Sequence, residues 1–253
     1  MGKRALVVGG SGGIGRAVAK ALAGRGAGLL VTGGSDKGRL DRTLAELRGL
    51  GSEAEGLLLP LEDLRGLDAL RLGEGRFDIL VAAFGPFLQR PLDAMSGGDW
   101  ERLALLDLAL PGALASALLP GMVARGWGRL VFFGGTGTDV IKAYRTNAAY
   151  AAAKTGLGVL AKSIAAGYAD RGIASFLVCP GLVDTEYLDP ALREALAAKN
   201  PKGRLLAADD VGETVAGLLA AEPCLASGAL IGLDGGLDLG SGRPGKGGGV
   251  GAP

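Results

Sequence analysis

The stretch that most constrains this 253-residue chain lies near its start, Leu6-Val7-Val8-Gly9-Gly10-Ser11-Gly12-Gly13-Ile14-Gly15. An apolar run ends there in glycines, and Arg16-Ala17-Val18-Ala19-Lys20-Ala21-Leu22 follows with Val18, Ala21 and Leu22 on one stripe. That spacing predicts a strand, a turn and a helix. The start of a helix exposes unpaired N–H groups and the positive end of its dipole. Glycine lets the backbone reach positive φ and come close to a ligand. The turn therefore suits a pyrophosphate, with Gly9, Ser11, Gly13, Ile14 and Gly15 as candidate contacts. A glycine turn that binds nothing would use the same residues. Gly9-Gly10-Ser11-Gly12-Gly13 also has the G-x-S-x-G order of a hydrolase nucleophile elbow. That chemistry needs a base, nearly always histidine, and this sequence has none.

Seven mostly apolar segments are predicted as strands: residues 4–8, 28–32, 54–59, 77–83, 129–135, 173–179 and 229–233. Strands apolar right through are those covered on both faces, and helical stretches fall between them. The prediction is an α/β chain: a single doubly wound Rossmann-like domain over residues 1–239, with a seven-stranded parallel sheet and helices on both faces. Residues 240–253 are mostly glycine and are expected to form a flexible tail. With 27 basic and 26 acidic residues and no basic cluster, nothing points to a nucleic-acid partner. Two cysteines and no histidine argue against a disulfide framework or a metal site. Cys179, at the end of an apolar run, reads as a buried small hydrophobe. No apolar run is expected to span a membrane, and the N-terminus leads into a strand rather than a signal peptide. The expected setting is the cytoplasm.

A second stretch carries chemistry: Asn147-Ala148-Ala149-Tyr150-Ala151-Ala152-Ala153-Lys154-Thr155-Gly156-Leu157. Four-residue spacing in an alanine-rich helix puts Tyr150 and Lys154 on one face, one turn apart. A neighbouring ammonium favours phenolate and lowers a tyrosine pKa from its ordinary value of about 10. A tyrosine so tuned can act as general acid toward a carbonyl oxygen. Upstream, residues 100–119 predict a helix apolar on most sides, with Asp107 the single charge in its middle. A buried carboxylate needs a partner: it lies along a polar seam between helices, or it serves the catalytic lysine.

Four pieces in order, Gly9-xxx-Gly13-Ile14-Gly15, Tyr150-xxx-Lys154, Cys179-Pro180-Gly181-Leu182-Val183-Asp184-Thr185 and Asp234-Gly235-Gly236, resemble the short-chain dehydrogenase/reductase family, in particular its 3-oxoacyl reductase-like members. The resemblance covers nearly the whole chain. It implies NADP as cofactor, with NAD as the alternative, and a homotetramer or homodimer. It implies that Tyr150 is the acid/base and that Lys154 holds the nicotinamide ribose. Pro180, Gly181, Val183 and Thr185 would cover the carboxamide, and Gly85 would keep its place beside the cofactor.

The departures are as informative. Val8 stands where the family usually has threonine, and Ala82-Ala83-Phe84-Gly85 where it has Asn-Asn-Ala-Gly. Pro60 stands at its adenine-contacting aspartate, with Asp63 three residues on, and Asp107 at an asparagine that bends the helix and holds a water on the lysine. Gly135 occupies the place of the catalytic serine, and Thr136 is the preferred substitute donor, ahead of Thr138. Gly33 and Gly34 leave the second strand end without an acid, so a 2′-phosphate meets no repulsion there, and Lys37 or Arg39 could pair with it. The expected activity is interconversion of a ketone and a secondary alcohol, a 3-oxoacyl thioester being one candidate. Leu157, seven after Tyr150, argues against enoyl reduction. The alternative is a nucleotide-binding protein with little catalysis, acting as a sensor or subunit partner.

Overall fold

A computed structural model describes residues 2–70, 72 and 77–237. The expected tail over residues 240–253 lies outside the described residues. Strand β1 (Arg4–Val8) leads through the glycine turn into helix α1 (Gly13–Ala23), and β2 (Gly28–Gly33) into α2 (Lys37–Gly49). β3 (Ala54–Leu58) is followed by a 3-10 turn (Leu64–Leu70) and β4 (Ile79–Ala82). Helix α3 (Gly97–Ala104) then runs through one π-helical turn (Leu105–Ala109) into α4 (Leu110–Ala124). β5 (Gly128–Phe133), α5 (Ala148–Tyr168) and β6 (Ile173–Pro180) follow. The chain continues with a short pair, β7 (Val183–Asp184) and β8 (Leu206–Ala207), around α6 (Pro190–Ala197). It closes with α7 (Ala208–Ala220) and β9 (Leu230–Leu233).

The main sheet has seven strands in the order β3-β2-β1-β4-β5-β6-β9, every pair parallel. Its two faces divide each strand residue by residue. Ala5 and Val7 join Val18, Leu22, Val215 and Leu219 of α1 and α7 in one core. Leu6 and Val8 join Leu114, Leu118, Met122, Leu157 and Ala161 of α4 and α5 in the other. This is the two-sided cover that continuous apolar strands require. The strand order reverses between β1 and β4, so their C-terminal ends part and leave a crevice.

Three sequence expectations change. β3 is an edge strand with its middle exposed rather than a buried one. β5 ends at Phe133, so Gly134 and Gly135 belong to the loop that faces the crevice. The continuous helical run Gly97–Ala124, 28 residues with a window of mean hydropathy 1.8, is long and apolar enough to cross a membrane, contrary to the sequence reading. Half of that window is buried inside the protein, against the sheet, which accounts for its apolar character.

Candidate active site

The phosphate-type turn forms as its glycines require. Gly9 has φ +78° and a Cβ there would overlap the Ala83 carbonyl oxygen, so only glycine lets β1 and β4 exit side by side. Gly15 does not line the cleft: a Cβ on it would overlap the Gly9 carbonyl oxygen, and its role is close packing of α1 on the turn. Gly9, Ser11, Gly13, Ile14 and Gly85 line a cleft of about 470 Å³ together with Phe133, Tyr150, Lys154, Pro180 and Thr185. The N–H of Gly13 donates to both carboxylate oxygens of Glu186, at 3.0 and 3.1 Å. The anion position at the head of α1 is thus filled by the chain's own carboxylate, the chemistry expected of a helix N-terminus. Tyr187 lies over Gly12 and Gly13, and the Arg39 guanidinium stands 4.9 Å from its ring.

The adenine end is less complete. Lys37 pairs with Asp41 at 2.5 Å on the exposed face of α2. Arg39, 3.4 Å from Asp36, stays at the rim of the turn. Asp63 caps the 3-10 turn through Arg65 and Gly66 and does not face the cleft. An adjoining hollow of about 270 Å³ is walled instead by Leu59, Leu61, Gly33, Gly34 and Arg102.

α5 brings Tyr150 and Lys154 to the crevice on one face, as the spacing predicts. The Phe87 ring meets Tyr150 edge-on at 5.0 Å. Lys154, itself buried, donates to the Phe84 carbonyl at 3.3 Å, and its Nζ is 3.0 Å from Asp107 Oδ1. Asp107 is wholly buried in the π-helical turn, and neither oxygen has a hydrogen-bond partner among the described residues, so charge rather than an aligned hydrogen bond holds the pair. Gly85, at φ +127°, completes the enclosure: a Cβ there would overlap Asp107 Oδ1 and stand 3.2 Å from Lys154 Nζ. Burial pushes the Asp107 carboxyl up while the Lys154 ammonium pulls it down, and burial prevails. Of the two readings of Asp107, the one that ties it to the lysine fits the geometry.

The expected lowering of the Tyr150 pKa by Lys154 is corrected by this arrangement. Burial first, then the Asp107 carboxylate, then Cys179 and Tyr144 raise the phenol well above its ordinary value. Lys154 Nζ is 5.8 Å from the ring centroid, with Asp107 nearer to it than the phenol ring is.

The substitute oxyanion donors are also corrected. The Thr136 hydroxyl donates to the Pro180 carbonyl at 3.1 Å. The Thr138 hydroxyl donates to the Gly135 carbonyl at 3.0 Å and accepts from its N–H at 2.9 Å, in a closed local turn. Neither is aimed at Tyr150. A Cβ on Gly135 would stand 2.6 Å from Tyr150 Cε1 and 2.9 Å from its hydroxyl, so the tyrosine ring fills the space a side chain there would need. Cys179 is buried beside Thr138, 3.5 Å away, and burial pushes its thiol up to about 11.

Beyond Tyr150 a second cleft of about 650 Å³ opens between Phe87, Gln89, Thr136, Tyr144, Asn147 and the loop from Pro180 to Leu188. Gly181 and Val183 line this part, Gly181 held against β9 by its N–H to the Leu233 carbonyl at 3.0 Å. Its side-chain lining carries no charged group. Phe87, Tyr144 and Glu186 were not singled out by sequence. The one signal for Glu186 was an acid directly after the Asp184-Thr185 segment.

A parallel doubly wound sheet with a glycine turn at the switch point and a tyrosine–lysine helix beside it defines a dinucleotide-dependent oxidoreductase. The short chain dehydrogenase family model matches residues 3–195, and the chain belongs to that family. It is similar to the 3-oxoacyl-[acyl-carrier-protein] reductase FabG of Salmonella typhimurium and of Escherichia coli, 32% identical to each over 243 residues, covering 93% of this chain and 97% of those proteins. Among solved structures it resembles a short chain dehydrogenase/reductase family protein, with TM-score 0.81 and 29% identity over 93% of this chain and 97% of that one. It also resembles a Beutenbergia cavernae protein provisionally named an NAD(P)-dependent gluconate 5-dehydrogenase, with bound NADP. That match has TM-score 0.83 and 28% identity, over 93% of this chain and 96% of that one.

Proposed function

We propose that this oxidoreductase reduces a ketone to a secondary alcohol with NADPH, and that its substrate is a 3-oxoacyl thioester or a similar uncharged acyl ketone. The observation that carries the proposal is the protonated, buried Tyr150 between the two clefts, with Lys154 on the cofactor side. The substrate class rests on the FabG relatives and on the second cleft, whose lining offers apolar walls and no counter-charge.

The cofactor fits the residues present. The turn from Gly9 to Gly13 and the head of α1 would hold the pyrophosphate, where the Glu186 carboxylate now sits. Gly33 and Gly34 present no acid to a 2′-phosphate, and Arg39 is the cation closest to that rim. Lys154 and Tyr150 would hold the nicotinamide ribose, with Pro180, Gly181, Val183 and Thr185 around the carboxamide. Bound there, NADPH supplies a hydride to the carbonyl carbon. Tyr150 gives its proton to the carbonyl oxygen, and the apolar walls of Phe87 and Leu188 exclude water. With Gly135 bare and both threonines turned away, Tyr150 is the principal hydrogen-bond donor to that oxygen.

Tyr150→Phe keeps the ring's packing and removes the acid. Turnover of a 3-oxoacyl thioester should fall by about 10²–10⁴-fold, the range of general acid catalysis, with NADPH affinity retained. Full activity in that variant would refute the mechanism.

We also propose that the chain self-associates, as a dimer or tetramer. The solvent side of the Gly97–Ala124 run presents Trp100, Ala104, Ala109 and Ala117, and α5 presents Ala152 and Val159 beside it. The small residues at Gly158 and Ala161, which sequence suggested for this contact, pack instead on the chain's own sheet. A monomer mass in light scattering at micromolar concentration would rule the assembly out.

A further inference from the structure

The geometry points to Asp107 as a positioning residue that pairs directly with Lys154 and cancels its charge at Tyr150, keeping the phenol protonated through alkaline pH and the enzyme suited to reduction. This rests on the reading of Tyr150 as the proton donor.

The argument starts from position. The π-helical turn Leu105–Ala109 inserts one extra residue per turn into an otherwise α-helical run, a local distortion often found at functional sites. It delivers Asp107 to the floor of the cleft, where the side chain is fully buried and 3.0 Å from Lys154 Nζ. A carboxylate in such a place, with no hydrogen-bond donor besides the ammonium, is bound to that ammonium by the large cost of leaving either charge alone. Gly85, with no side chain, closes over the pair without touching water to it.

The consequence falls on Tyr150. The groups that face the phenol are Asp107 from the π-helical turn, Lys154 from its own helix, Cys179 from β6 and Tyr144 from the preceding loop. Arg102, one helical turn before Asp107, acts weakly on that carboxylate. Lys154 is the one cation among those facing the phenol, and it is matched by a carboxylate closer to it than the phenol ring. An ammonium alone would favour phenolate; an ion pair of zero net charge does not, and burial then decides in favour of the neutral phenol.

The test is a phenolate titration by ultraviolet absorbance on the protein without cofactor, with circular dichroism confirming the fold at each pH. Wild type and Tyr150→Phe should show the same number of phenolates up to about pH 10, the ordinary tyrosine value. An extra phenolate in wild type below that pH would overturn the proposal, and this comparison needs no variant of Asp107. Asp107→Asn keeps the shape and removes the charge. It should show one more phenolate than Asp107→Asn/Tyr150→Phe, titrating about one unit or more below wild type. A folded Asp107→Asn with no extra phenolate would equally overturn it. In turnover, the pH above which reduction falls should move down in Asp107→Asn and return toward wild type in Asp107→Asn/Lys154→Met. If the titrations behave as stated but Tyr150→Phe reduces ketones at full rate, the ion pair stands and the proton-donor reading fails.

Discussion

Two carboxylates sit at the two ends of one cleft and illustrate opposite uses of the same group. Glu186 is exposed and rests on the Gly13 N–H at the head of α1. Asp107 is buried and rests on the Lys154 ammonium. Water can replace every contact Glu186 makes, so its hold on the turn is weak and a stronger anion can take its place. No water reaches Asp107, so its charge and its partner's are fixed features of the site. Exposure, not chemistry, separates a replaceable occupant from a permanent part of the electrostatics.

The sharpest way to break that contrast is to delete each carboxylate. Asp107→Ala leaves a buried ammonium without its partner, a change that typically costs about 3–5 kcal/mol. Denaturant unfolding should show a loss of that order, whereas Glu186→Ala should stay within about 0.5 kcal/mol of wild type, as exposed substitutions usually do. Equal effects from the two would show that the buried pair is not fixed in the way described.

Next in size is Gly135→Ser. Adding a hydroxyl where related enzymes carry one would be expected to help catalysis. Here its Cβ meets the Tyr150 ring at 2.6 Å, so the ring must move. Overpacking of this kind costs about 1–3 kcal/mol. Turnover should therefore drop, by roughly 10-fold for each 1.4 kcal/mol that falls on the transition state. A gain in kcat would show that Tyr150 readily yields the space and that the bare glycine is a deficit rather than a fit.

The smallest effect belongs to the open end. Glu186→Gln removes the charge that competes for the head of α1, an interaction worth about 0.3–1 kcal/mol at an exposed helix end. Calorimetry should find NADPH binding about two- to five-fold tighter, with the gain shrinking as salt screens the competition. Weaker binding in the variant would mean that Glu186 assists the cofactor instead. Measured beside NADPH, NADH should bind more weakly, since Gly33 and Gly34 offer no acid to favour its ribose and Arg39 loses a phosphate partner.

The pH profile adds a sign. Tyr150 donates while protonated, and burial raises the pH at which it loses that proton. Reduction should hold through about pH 10 rather than fade near neutrality, the opposite of what a lone tyrosine–lysine pair would give.

Glycine and apolar periodicity made most of the architecture legible in the sequence. Gly9 and Gly13 announce a turn because few other residues take their backbone angles, and the uninterrupted runs at Ala5–Val8 and Phe176–Cys179 announce strands buried on both sides. The spacing of Tyr150 and Lys154 put them on one helix face for a purely local reason, the 3.6-residue turn. What the sequence alone could not decide were interactions between residues far apart in the chain. That Asp107 meets Lys154, that Glu186 reaches Gly13, and that Gly135 is bare because Tyr150 leans into it all depend on how β1, β4, α5 and the Pro180–Leu188 loop converge. The direction of the Thr136 and Thr138 hydroxyls was equally out of reach, since each had a nearby carbonyl to satisfy before any substrate. A pKa depends on burial and on every charge within a few ångströms, so the acidity of Tyr150 followed from the packing and not from the lysine four residues away.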